Sequence, residues 1–68
     1  MTETAWLQSD GTFVACREKL KMLAENQAEL AQVMQDAFED AVLMGVDETA
    51  MRALLAGMVE QLRSPVRR

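Results

Sequence analysis

From Thr12 to Met44 the chain contains neither Pro nor Gly, and its apolar residues recur at alternating steps of three and four. The series runs Phe13, Cys16, Leu20, Leu23, Gln27, Leu30, Met34, Ala37, Ala41, Met44, with Gln27 as its one polar member. This is the a/d seam of a heptad repeat, and it predicts one long helix over about 12–44. A strand, whose side chains alternate with a period of two, cannot use such a spacing. Toward its end the face widens, because Val33, Phe38 and Val42 add a second apolar row. A break near Glu25-Asn26-Gln27 stays open as an alternative, although no breaker residue stands there.

Gly45-Val46-Asp47 is the hinge. Gly45 suits the left-handed residue that closes a helix, and Asp47 suits the N-cap of the next. Val46 before that cap and Met51 four positions after it are placed for a hydrophobic staple. A second helix is expected over about 48–63, with Met51, Leu54, Leu55, Met58, Val59 and Leu62 on its apolar face. Glu48 and Arg52 form an i,i+4 pair, and Ser64-Pro65 stops the helix. The fold expected is therefore all-α, an antiparallel helical hairpin.

The N-terminal residues admit two readings. Ser9-Asp10-Gly11 can turn a short β-hairpin between residues 5–8 and 12–15. Alternatively, residues 1–11 form a flexible arm and the helix starts at Asp10 or Thr12 as N-cap. An isolated two-stranded hairpin is marginal in water, so the arm is the expectation. The organisation is then an arm over 1–11, a helical hairpin domain over 12–63 and a basic tail over 64–68, ending in Arg67-Arg68.

Size turns this hairpin toward company. A core in a chain of 68 residues rarely supplies more than roughly 3–5 kcal/mol, and short chains add disulfides, metals or partner subunits. There is one Cys and no His, so an intrachain disulfide, a thiolate cluster and a His ligand are excluded. At about 1.5 Å per residue the first helix spans on the order of 50 Å and the second roughly 24 Å. The seam ahead of Leu30 thus has only Trp6 and Leu7 of its own chain to cover it. Leaving Leu20, Leu23 and Leu30 wet forfeits roughly 1.5–3 kcal/mol each. The expectation is a homodimer or higher oligomer forming a four-helix bundle, with Phe13, Cys16, Leu20, Leu23, Gln27, Leu30 and Met34 at the interface. A heterologous helix in the same groove is the next solution.

Other features are weaker. Seven acids and no base lie between Glu25 and Glu48. Asp36, Glu39 and Asp40 share one helix face, either as a solvated surface or as a docking patch for a basic protein partner. The spacing of a calcium loop is absent, and no metal or other cofactor is expected. Arg17, Lys19 and Lys21 cluster near one end and Arg63, Arg67 and Arg68 near the other. They read as solubility and helix-end electrostatics, because no aromatics interleave with them for base stacking. Gln27 either sets register in the seam or lies at its edge. Cys16 reads as a small buried hydrophobe rather than a reactive thiol. Ala50, Ala53 and Gly57 permit a close helix crossing. Without His no nucleophile–base–orienter set can be assembled, so no enzyme is expected. The net charge of −4 disfavours nucleic acid. The one unpaired Cys, the absence of a basic leader and the lack of a ~20-residue apolar run point to a cytoplasmic chain with no membrane span.

Leu23-Ala24-Glu25, Ala28-Glu29-Leu30, Met34, Asp36, Phe38, Asp40-Ala41, Gly45-Val46-Asp47 and Met51-Arg52 together resemble the GapR-type nucleoid-associated proteins over residues 23–52. That resemblance implies a long helix, a hinge, a second helix and an oligomer that encircles DNA with Lys and Arg around the hinge. Here Leu43, Met44, Thr49 and Ala53 occupy that region and Arg52 is its one base. The function expected is a non-catalytic helical module (adaptor, regulator or small chaperone) that self-associates and binds a protein. DNA architecture is the alternative.

Overall fold

The computed structural model describes residues 4–66. Two helices account for the regular structure, α1 over Arg17–Leu43 and α2 over Glu48–Glu60. The chain divides into two units, Met1–Val33 and Met34–Arg68. α1 is continuous through Glu25-Asn26-Gln27, as the lack of a breaker there requires.

In the first unit the chain makes the hairpin turn rather than the loose arm. Gly11 N–H donates to the Gln8 carbonyl (3.0 Å), Gln8 N–H to Thr12 (2.7 Å) and Val14 N–H to Trp6 (2.8 Å), around an antiparallel Leu7–Phe13 bridge. Gly11 supplies the positive φ of 90° that a three-residue hairpin loop needs. Asp10 closes the loop by accepting from the backbone N–H (2.9 Å) and the hydroxyl (2.7 Å) of Thr12. Asp10 and Thr12 are thereby engaged in the turn and unavailable as helix caps. The helix accordingly starts at Arg17, five residues later than Thr12. Marginality argues only against an isolated hairpin, and this one is not isolated. Thr4 donates its hydroxyl to Gln27 Oε1 (3.0 Å), which carries the segment back along α1, and Trp6, Val14, Leu20 and Leu23 become half-buried.

In the second unit the end of α1 and the whole of α2 form the helical hairpin. Its turn satisfies the end of α1 as a paired set of bonds. Val46 N–H reaches the Ala41 carbonyl (2.9 Å) and Gly45 N–H the Val42 carbonyl (3.0 Å), with Gly45 at φ 100°. Asp47 then caps α2, its carboxylate accepting from Ala50 N–H at 2.9 Å. α2 ends at Glu60 rather than near Arg63, because its last turn tightens. Gln61 N–H is shared between the Gly57 and Met58 carbonyls and Leu62 N–H goes to Val59. Phe38, Ala41, Val42, Met51, Leu55 and Gly57 are half-buried here. Among the described residues none is fully buried, so neither unit has a dry core of its own.

The glycines separate turn from helix. A side chain at Gly45 is strained by its φ, whereas a Cβ at Gly57 meets nothing within 4 Å. Among the described residues, therefore, none makes the close crossing expected at Gly57. Gly45→Ala is expected to cost about 1 kcal/mol, and Gly57→Ala to add roughly 0.5–1 kcal/mol of helix stability. Thermal unfolding followed by circular dichroism checks both, and a lowered midpoint for Gly57→Ala would place another chain against that residue.

Candidate interaction surface

The seam residues split into covered and uncovered sets. Leu20 and Leu23 are half-buried within the first unit. Gln27 is exposed but bonded to Thr4, a local partner that its place in the seam did not foretell. Phe13 (59% exposed), Leu30 (60%) and Met34 (42%) remain open to water. Val33, outside the strict seam, is equally open at 64%. In the second unit Leu54, Met58, Val59 and Leu62 on α2 and Leu43 and Met44 beside the hinge are exposed as well. Scattered exposed apolar side chains are ordinary, whereas rows of them at helical spacing are candidates for an interaction surface.

Asp36, Glu39 and Asp40 all lie exposed on α1. Among the described residues no group of three acids or thiols is arranged to hold a metal ion. Arg52 makes a contact across the helical hairpin. Its guanidinium sits 4.7 Å from the centre of the Phe38 ring and pairs with Glu48 at 3.8 Å. Sequence spacing reveals the Glu48 pair, but the Phe38 contact joins residues on two helices and has no local signature. Lys21 pairs with Glu25 at 4.0 Å on the exposed face of α1.

Cys16 departs from the expected buried hydrophobe. It is exposed at the entrance of α1, where its carbonyl accepts the Leu20 N–H (2.9 Å). The backbone N–H groups of Lys19 and Glu18 donate to its sulfur and hold the thiol below its ordinary pKa. Asp10 is likewise held below the usual carboxylate value, first by the Thr12 hydroxyl and then by its backbone N–H. Among the described residues no helix is long and apolar enough to cross a membrane.

No protein-family model, no curated protein and no solved structure matches this chain.

The Cys16 environment has a measurable consequence. Hydrogen bonds to the sulfur favour the thiolate in the folded chain and are lost on unfolding, so the folded thiol titrates at lower pH. Alkylation by iodoacetamide across pH is expected to reach half-maximum lower for the folded protein than for the urea-unfolded one. Coincident profiles would mean that the helix entrance does not hold the sulfur.

Proposed function

We propose that this chain is a non-catalytic helical protein-interaction module that self-associates, in the manner of an adaptor, regulator or small chaperone. The observation that carries the reading is the open apolar row on α1. Leu30, Val33 and Met34 stay exposed although the chain has a hairpin and a second helix with which to cover them. Burying a Leu-sized side chain contributes roughly 1.5–3 kcal/mol, so covering this row in a second chain is strongly favoured. A four-helix bundle of two hairpins is the simplest assembly that does so. The acidic stretch Asp36, Glu39 and Asp40 would then face a basic protein surface, where charge governs encounter rate and orientation.

The DNA-architecture alternative implied by the GapR resemblance has less support. The net charge is −4, and Arg52, the one base beyond the hinge in the matching stretch, is engaged by Phe38 and Glu48.

Leu30→Asp tests the reading. Leu30 is exposed in the single chain, so its replacement leaves the fold intact. Two copies of the change should weaken self-association by roughly a hundredfold or more. Sedimentation equilibrium is expected to give a dimer or larger species for the unaltered chain and a monomer of unchanged helicity for the variant. An unaltered mass for the variant would remove Leu30 from the interface, and a monomeric parent would overturn self-association.

A further inference from the structure

We infer that the partner covering the α1 seam is a second copy of α1 laid antiparallel, with the basic first turns of each copy beside the acidic residues 36–40 of the other. This rests on the self-association proposed above and adds to it an orientation and a register.

The charge layout of α1 carries the inference. Arg17, Lys19 and Lys21 lie in its first turns with one acid, Glu18, among them, and Asp36, Glu39 and Asp40 in its last. This is the reverse of what a helix favours on its own. Its N-terminal end is positive and prefers acids, and its C-terminal end prefers bases, yet the last turn of α1 holds no base. Lys21 pairs locally with Glu25 at 4.0 Å, whereas Lys19 and Asp40 make no ion pair among the described residues. A neighbouring helix running the other way offsets the mismatch, because each basic end then meets an acidic end. A parallel copy sets like against like at both ends.

The apolar spacing selects the same register. Counted from either end, the part of the seam that lies on α1, from Leu20 to Ala37, reads identically about a midpoint between Ala28 and Glu29. In an antiparallel pair centred there, Leu23 of one copy meets Met34 of the other, and the exposed Leu30 lies near the centre. In the heptad frame that puts Leu20 at a, Lys19 and Asp40 both fall at the flanking g position. Antiparallel helices face g to g, so Lys19 of each copy faces Asp40 of its mate. The basic partner expected of the acidic patch is then the chain's own basic end.

Cys16 is the one thiol and is exposed, so a nitroxide can be attached there without altering the sequence. With that midpoint the two Cys16 positions are separated by roughly 40 Å along and across the pair. Dipolar electron resonance on the labelled full chain is expected to return a distance near that value. In the same assay Lys19→Glu should weaken the dimer roughly tenfold at low salt, and adding Asp40→Lys should restore it. A dimer with a label separation under about 20 Å would overturn the antiparallel arrangement while leaving self-association standing. A labelled protein that sediments as a monomer would overturn both. Failure of the double exchange to restore association would overturn the Lys19–Asp40 register.

Discussion

Apolar surface that the chain leaves uncovered is the constraint from which the rest follows. A helix of 27 residues presents a seam along its whole length, and α2 has only 13 residues to set against it. In the first unit the N-terminal hairpin returns to α1 through Thr4 and Gln27, and Trp6, Val14, Leu20 and Leu23 are half-buried. Leu30, Val33 and Met34 remain wet. Without a fully buried side chain among the described residues, local devices do much of the holding. They are the bonded turn at Gly45, the Asp47 cap, the Asp10 turn and the Arg52–Phe38 contact. Each such device contributes only about 1 kcal/mol, which is too little to replace a core.

Charge adds direction to that apolar pull. Uncovered seam alone does not distinguish a parallel from an antiparallel partner, or a second copy from a different helix. The proposed antiparallel copy answers the charge gradient along α1, which is unfavourable within one helix and complementary between two opposed ones. The proposed module thus draws affinity from Leu30 and its neighbours and orientation from Lys19 and Asp40. Ionic strength is expected to act on the second property more than on the first.

The two helices and their turn were legible in the sequence, because each rests on local chemistry. A 3.5-residue apolar period, an unbroken run of helix formers and a Gly-apolar-Asp turn are all short-range signals. The helix entrance was not legible. Thr12 and Asp10 are good caps in isolation, but the Asp10 carboxylate closes the hairpin loop onto Thr12, and Cys16 stands at the entrance instead. That outcome depends on the hairpin folding back to Gln27 through Thr4, a contact spanning 23 positions that no window of sequence contains. Gln27 and Cys16, both read from the seam alone, are the residues whose surroundings differ most from that reading. Arg52 over Phe38 escaped for the same reason, as a contact between helices rather than within one.

The most direct test of the central claim is the melting temperature as a function of protein concentration. Self-association through the open seam couples unfolding to dissociation, so mass action raises the midpoint with concentration. For a dimer of chains this size, a hundredfold increase in concentration should raise it by about 5–10 °C. A midpoint that stays constant over that range would mean that each chain is stable alone with its seam exposed, and would contradict the account.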